Sequence, residues 1–287
     1  MPRSATKKPP PSEHVEIRLG QSVELLKALH ILTRDGRMNQ DSRRKLKQVY
    51  HMYQFIEPLL QEALRDNTDI QLVDHGAGKS YLGFILYDLF FKSLAGGSHL
   101  YGIETRADLV EKAAALARQL HFDRMSFLNM PVAEAIESPH LPDKVDMVTA
   151  LHACDTATDD AIRFSLKKHA RYIVLVPCCQ AEIAAMLNQH KATTLANPLS
   201  EIWRRPLHTR EFGSHITNVL RCLQLEAHGY QVSVTELVGW EHSLKNELII
   251  AQYKDLPRTR ATQRLHDTLD TLGLHVLSER FFTAERT

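Results

Sequence analysis

The chain has 287 residues, 44% hydrophobic and 24% charged, with a formal net charge of +1. That balance argues against a disordered chain and against one that coats nucleic acid by global charge, so any basic partner surface has to be local. The cysteines, Cys154, Cys178, Cys179 and Cys222, include an adjacent pair that cannot easily bond to itself, which speaks for a reducing, cytoplasmic setting over a secreted disulfide framework.

The opening stretch "MPRSATKKPPPSEH" is basic and proline-rich with nothing to bury, so residues 1–14 are expected to be a flexible tail. No hydrophobic segment follows it. The longest apolar-rich run, Tyr81 to Phe91, is interrupted by Asp88, so neither export nor membrane insertion is expected. From Gln21 to Leu32 and from Asp41 to Leu64, apolar residues recur at helical spacing: Leu46, Val49, Tyr53, Ile56, Leu60 and Leu64 in the second run. This predicts an N-terminal helical extension over 15–66, with Pro58 kinking or restarting the second helix. The opposite face carries Arg43, Arg44, Lys45 and Lys47, near Arg34 and Arg37. Such a face is either simply solvated or able to meet phosphates.

After Asn67 short aliphatic runs alternate with helical ones. Strands are predicted at 70–74, 99–104, 125–130, 145–151 and 171–177, with helices at 80–94, 106–120 and 158–169. That alternation calls for a parallel α/β sheet with right-handed crossovers. Near the end, "YQVSVTELVGW" and "NELIIAQY" are separated by "EHSLK", too short for a helical crossover, so they should form an antiparallel hairpin. A mostly parallel seven-stranded sheet over 67–255 follows, with a helical insertion at about 181–229 and a C-terminal extension over 256–287.

The stretch "VDHGAGKSYLGF", Val73 to Phe84, first suggests a triphosphate loop ending in Gly76-Ala77-Gly78-Lys79-Ser80. That loop requires a glycine where Val73 stands, inside an apolar strand. Instead an acid, Asp74, ends the strand, glycines open the next helix, and a second acid, Glu104, ends the following strand. Glycine backbone at 76 and 78 admits a ligand closely, and a carboxylate at the second strand end can accept from both hydroxyls of a ribose. Lys79, deprived of a phosphate, is expected to pair with a carboxylate or reach substrate.

Five parallel strands and a terminal hairpin are similar to the Rossmann-like arrangement of class I S-adenosylmethionine methyltransferases. "VDHGAGKSYLGF", "LHACDTATDDAI" and "IVLVPCCQ" together resemble the methyltransferase family whose motifs run Asp-x-Gly-x-Gly-Lys-Gly-Tyr-Leu, His-x-Cys-x-x-Ala-Thr-Asp and Cys-Cys. That family includes the eukaryotic tRNA acceptor-stem ribose 2′-O-methyltransferases and related methyltransferase-like proteins. The match covers Leu72 to Gln180. Ser80 stands where glycine is usual, and the zinc-binding modules of the tRNA enzymes are absent. The resemblance implies S-adenosylmethionine as cofactor, held by Asp74, Gly76, Ala77, Gly78, Lys79, Tyr81, Glu104, Thr105, His152 and Ala153.

The second motif follows a buried run, where open sheets bind ligands. His152 can orient or deprotonate an acceptor hydroxyl, or be a satisfied structural histidine. Thr156 or Asp155 can cap the next helix, and Asp155 is also a candidate beside the acceptor. In the third motif, Cys178 and Cys179 end the fifth strand. Cys154 and Cys179 resemble the paired cysteines of RNA cytosine-C5 methyltransferases, against the simpler reading of small buried residues that let substrate approach. No Cys-x-x-Cys pair or paired-histidine motif appears, so no metal is expected. In "WRRPLHTREFGSH", Trp203, Arg204, Arg205, His208, Arg210 and His215 form either a nucleic-acid contact or a solvated loop, leading to a helix from Val219 to His228. Lys245 and Asn246 of the hairpin turn can overlook the site.

The expected activity is methylation of RNA, at a ribose 2′-hydroxyl or a base, with Arg43, Arg44, Lys45, Arg204, Arg205 and Arg210 as basic contacts and His152, Asp155 and Cys179 near the acceptor. Methylation of a protein or small molecule, cysteine-dependent C5 chemistry, a nucleotide triphosphatase and a catalytically silent scaffold are the alternatives.

Overall fold

A computed structural model describes residues 17–151, 156–177, 181–189, 201–202, 204–237 and 247–282. Two helices come first, α1 (Val23–Ala28) and α2 (Gln40–Asp66). Then follow β1 (Gln71–His75), α3 (Tyr81–Leu89), β2 (His99–Glu104), α4 (Ala107–Gln119), β3 (Met125–Asn129), α5 (Val132–Glu137), β4 (Met147–Leu151), α6 (Ala157–Lys167) and β5 (Tyr172–Val176). The chain continues through α7 (Glu182–Gln189), α8 (Pro206–Ala227), β6 (Tyr230–Glu236), β7 (Glu247–Tyr253), α9 (Thr259–Thr271) and α10 (Ser278–Phe281).

The seven strands form one sheet in the order β3-β2-β1-β4-β5-β7-β6. The first five pair in parallel, and β7 runs antiparallel to both β5 and β6. This is the mostly parallel, Rossmann-like sheet with a terminal hairpin that the sequence predicts, and all seven strands fall within a few residues of their expected places. The reversal of strand order between β1 and β4 opens a crevice at their carboxyl ends, the usual ligand position in such sheets.

Both faces are covered, which is why the central strands read as near-continuous aliphatic runs. On one face Leu72, Leu100, Met147 and Val174 pack under α2, α3 and α4. On the other, Val73, Ile103, Val148 and Ile173 pack with α6 and with Leu225 of α8. A third cluster joins Ile183 and Leu187 of α7, Leu220 and Leu223 of α8, Leu265 and Leu269 of α9 and Phe281 of α10. The insertion and the C-terminal extension therefore share a core.

Two expectations are corrected. Helix α2 is a single element of 27 residues running through Pro58. Pro58 and Gln54, whose carbonyl loses its N–H donor, are both exposed, so water can satisfy that carbonyl. The stripe Leu46, Val49, Met52, Tyr53, Ile56, Leu60 and Ala63 is buried throughout, so the same face packs before and after Pro58 and the helix does not restart there. Likewise residues 206–215 are helix, not loop. Arg205 is extended at the N-cap and Pro206 starts α8, the place where proline's missing N–H is harmless.

The two ends of α2 are tied to different places. Its last turn lies at the amino edge of the sheet, where Arg171, just before β5, pairs with Asp66 at 2.5 Å and Glu62 at 3.3 Å. Its first turn is tied to His30, whose carbonyl accepts from Ser42 Oγ at 3.3 Å, on the side of the loop that follows β1.

Candidate functional site

The crevice is built on the ends of β1, β2 and β4. Asp74 sits opposite Gly102 of β2 and Thr149 of β4, and His75 opposite Ile103 and Ala150. Because side chains alternate across a strand, Asp74 and His75 point to opposite faces. Asp74 is 2% exposed, and Thr149 Oγ1 donates to its Oδ1 at 2.6 Å. Burial pushes the Asp74 carboxyl up to about 7, and the Thr149 bond only partly opposes this. His75 is also buried, edge-on to Phe164 of α6 at 4.4 Å between ring centroids, and neither ring nitrogen has a hydrogen-bond partner among the described residues. Burial lowers it to about 3, so the ring is neutral.

The loop after β1 is stitched to β2. Ala77 N–H donates to the Ile103 carbonyl at 3.0 Å, and Gly78 N–H donates to Glu104 Oε2 at 2.8 Å. Gly76 and Gly78 take φ +63° and +57°, left-handed values that a Cβ disfavours. Space in front of Gly76 is open, since a Cβ there would meet nothing within 4 Å. Ser80 follows in the same left-handed region, φ +53° and ψ +38°, which explains why glycine suits that place. Its hydroxyl is buried without a partner among the described residues and lies over Gly83, where an added Cβ would come within 2.4 Å of it.

Glu104 is largely covered and held at both oxygens. Oε1 accepts from Arg106 N–H at 3.1 Å, Arg106 Nε at 3.3 Å and Thr105 Oγ1 at 3.3 Å, while Oε2 takes Gly78. Burial would raise this carboxyl, but the bonds from the Arg106 side chain, the Arg106 backbone and Gly78 outweigh it and hold it below its ordinary value. Asn129, at the end of β3, clamps the strand end by donating to the carbonyls of Glu104 and Thr105 at 3.0 and 2.8 Å.

Of the residues singled out in the sequence, Asp74, Gly76, Ala77, Gly78, Glu104 and Thr105 therefore meet around one crevice. Lys79 and Tyr81 turn aside into a neighbouring cleft. Lys79 is exposed and has no carboxylate partner among the described residues, so the expected ion pair is not formed there. His152, Ala153, Cys154, Asp155, Cys178, Cys179, Trp203, Lys245 and Asn246 lie outside the described residues. Of the two expected caps, Thr156 occupies the N-cap position of α6 but makes no side-chain cap bond, its α-helical φ and ψ leaving the hydroxyl poorly aimed at the first-turn N–H groups, and Asp155 lies outside the described residues. Thr149 and Arg106 were not anticipated, although a lone hydroxyl in the buried run "VDMVTAL" and a cation two residues beyond Glu104 are visible signals.

Asp159, in the first turn of α6, is 8% exposed and accepts from Arg221 Nε of α8 at 2.6 Å. Arg280 of α10 lies 3.9 Å from the same carboxylate and pairs with Glu182 of α7 at 2.5 and 2.9 Å. Glu247, the first residue of β7, accepts from Asn218 and pairs with His215 of α8. The first half of α8, and with it Arg205 and Arg210, thus stands at the carboxyl edge of the sheet. Among the basic candidates, Arg44 pairs with Asp41 at 3.9 Å, Arg204 with Glu201 at 3.1 Å and Arg210 with Glu211 at 3.1 Å. Exposed pairs of this kind contribute little and yield readily to a phosphate. No group of three or more potential metal ligands occurs among the described residues, and no described helix is long and apolar enough to cross a membrane.

No curated protein matches the chain. Solved structures with a similar fold include an rRNA methylase from Streptococcus thermophilus, at 8% identity and TM-score 0.42, covering 66% of this chain and 89% of that one. Magnesium protoporphyrin IX methyltransferase from Synechocystis, with bound SAH, is similar at 14% identity and TM-score 0.44, covering 82% and 95%. Fibrillarin from Aeropyrum pernix, with S-adenosyl-L-methionine, is similar at 13% identity and TM-score 0.39, covering 64% and 67%. Residues 44–186, from α2 through the crevice strands to α7, match the family model of a methyltransferase domain.

Proposed function

We propose that the protein is an S-adenosylmethionine-dependent methyltransferase whose acceptor is RNA. The observation that carries the cofactor reading is the pair of carboxylates at neighbouring strand ends, Asp74 and Glu104, joined by a glycine loop whose Gly78 N–H is bonded to Glu104. The residues fit such a ligand. Asp74 has one side-chain partner and sits buried where a cationic ligand would stabilise its ionised form. Glu104 is ionised and able to exchange its Arg106 contacts for ribose hydroxyls, and the space before Gly76 is open. Bound there, the cofactor supplies an electrophilic methyl group on a sulfonium.

The chain's own part is alignment and proton management. Holding the acceptor oxygen, nitrogen or carbon in line with the methyl carbon supplies much of the rate through effective molarity. Methylation of a hydroxyl releases its proton, and His152 and Asp155, immediately beyond β4, are the groups proposed to orient the acceptor and take it. Cys179, beyond β5, is proposed to lie against the acceptor.

RNA is favoured by charge. With a net charge of only +1, the local basic groups count, and two of them stand toward the carboxyl edge: Arg43, Arg44 and Lys45 at the start of α2, and Arg204, Arg205 and Arg210 at the start of α8. They lie toward opposite faces of the sheet, so an extended anionic strand crossing the crevice would meet both.

Incubation with methyl-labelled S-adenosylmethionine and extract of cells lacking the protein, followed by separation into RNA, protein and metabolites, tests this. Label in RNA is expected. Label confined to protein or metabolites refutes the RNA acceptor, and no label together with no calorimetric binding of the cofactor refutes the activity.

A further inference from the structure

Lys79 and Tyr81 lead away from the cofactor crevice into a second concavity, a cleft of ≈ 700 Å³ between α3, α4 and the turn after α1. Neither Gly76, Gly78 nor Glu104 lines it. Its size lies within the ordinary range for small-ligand pockets. The walls are chiefly apolar, with Leu109 and Leu116 of α4, Tyr81 and Phe84 of α3, and Leu29 and His30 after α1 among the lining residues. Its charged lining is cationic: Lys79 and Lys112. Lys112 pairs with Asp108 at 3.1 Å, but the two side chains are 74% and 63% exposed, so the ammonium is readily given to a stronger anion.

Two further features connect this cleft to the rest of the carboxyl edge. His30 holds a left-handed backbone conformation, φ +55°, uncommon for a residue with a Cβ, and its carbonyl is anchored by Ser42. Ser42 is followed directly by Arg43, Arg44 and Lys45. Cations therefore lie on the cleft itself, Lys79 and Lys112, and directly after the residue that anchors its His30 rim, at the start of α2, with an apolar slot beside them. Planar bases stacking on rings between phosphate contacts need that combination of surfaces.

Resting on the RNA reading above, we infer that the cleft seats one unstacked nucleotide of the acceptor RNA, next to the nucleotide that enters the crevice. Its base lies against Leu109, Leu116, Tyr81 and His30, and its phosphate meets Lys79 and Lys112. Lys79 and Tyr81 then serve the acceptor and not the cofactor. A free nucleotide offers the same chemistry but lacks the neighbouring phosphates that the α2 cations would hold, so the strand is the intended occupant.

The test uses Lys112→Glu and Ala115→Glu, both at exposed positions of α4 on the cleft, with the exposed Lys144→Glu before β4 as a distant control. Binding of a fluorescein-labelled, mixed-sequence single-stranded RNA of about 12 nucleotides is measured by anisotropy, and S-adenosylmethionine binding by calorimetry. Each cleft variant should weaken RNA binding roughly fivefold or more, with cofactor affinity unchanged and the control near wild type. The same RNA carrying 4-thiouridine should cross-link to the peptide Ala107–Gln119. Wild-type RNA affinity in both cleft variants, or equal weakening by Lys144→Glu, overturns the cleft while leaving the RNA reading standing. Failure of the wild-type protein to bind RNA overturns both, and preference for a free mononucleotide over the strand overturns the choice of occupant.

Discussion

Thr149 Oγ1 donates a 2.6 Å hydrogen bond to Asp74 across the β1–β4 pair, and no other side chain among the described residues bonds that carboxylate. A buried acid with a single neutral donor holds its proton, and burial places this one at about 7. A cationic ligand beside it would drive the proton off on binding. Cofactor affinity should therefore weaken as pH falls below about 7, by up to tenfold per pH unit, and level off above it. Calorimetry from about pH 6 to 8 reads this directly, and a flat profile in the wild type would place the cationic end of the ligand elsewhere. Asp74→Asn should flatten the profile and lower affinity throughout.

Ser80 combines two unfavourable features, a left-handed backbone and a buried hydroxyl with no partner among the described residues. Ser80→Gly removes both. It also adds freedom to the unfolded chain, which costs about 0.5–1 kcal/mol, whereas an unsatisfied buried hydroxyl alone costs about 1–3 kcal/mol. The variant should be more stable by about 1 kcal/mol in urea denaturation. An unchanged or lower midpoint would mean that the hydroxyl does something the ligand-free chain does not show.

Why the sheet was legible and parts of the site were not has a physical reason. A parallel sheet covered on both faces must be aliphatic along its strands, and Leu72, Val73, Val148, Ile173 and Val174 carry that requirement in plain view. Glycines at φ +63° and +57° between two strand-end acids are equally visible, because few other residues tolerate the conformation. Pairings between distant segments leave no such mark. Nothing local in "TATDD" says that Asp159 meets Arg221 across 62 positions instead of capping its own helix. Continuity of α2 through Pro58 likewise depends on which face is wet, a tertiary fact.

The Arg106 guanidinium stands on the carboxylate proposed to take the ribose, yet its side chain is 64% exposed. Ligand must displace it, and an exposed pair resists little. Arg106→Ala should leave cofactor affinity unchanged or slightly tighter, while Glu104→Ala should weaken it by at least about 1.5 kcal/mol, the worth of a charged hydrogen bond. Calorimetric loss in Arg106→Ala equal to that in Glu104→Ala would make the arginine a ligand contact and reverse this assignment.

Arg221 is wholly buried, and its partner Asp159 nearly so. Removing one member of such a pair leaves the other charge desolvated, which costs about 3–5 kcal/mol. Arg221→Ala should therefore be among the most damaging substitutions in the chain, and pairing it with Asp159→Asn should recover part of the loss. Arg280 lies farther from Asp159, at 3.9 Å, and is partly exposed, so Arg280→Ala should cost less. A loss in Arg221→Ala no greater than in Arg280→Ala, by chemical denaturation, would show the pair to be dispensable.

His75 and Asp74 are sequence neighbours whose burial acts in opposite directions on stability. The native chain keeps His75 neutral down to about 3, so below the ordinary imidazole range the unfolded chain binds a proton that the folded one refuses, and stability is lost as pH falls from about 6.5 toward 3. Asp74 holds its proton up to about 7 in the native chain but only to about 4 in the unfolded one. Its contribution is therefore largest below pH 4 and declines as pH rises to 7, with up to about 1.4 kcal/mol per pH unit involved in each slope. Between about pH 4 and 6.5 the two nearly cancel, so the wild type should show little pH dependence there from this pair. His75→Phe keeps an aromatic ring against Phe164 and removes one slope; its stability relative to wild type should rise steadily as pH is lowered from about 6.5 to 4. Asp74→Asn should gain relative to wild type in the opposite direction, as pH is raised over the same span. Denaturation curves of the three proteins at several pH values separate these outcomes, and parallel profiles would show that neither side chain is buried from water in solution.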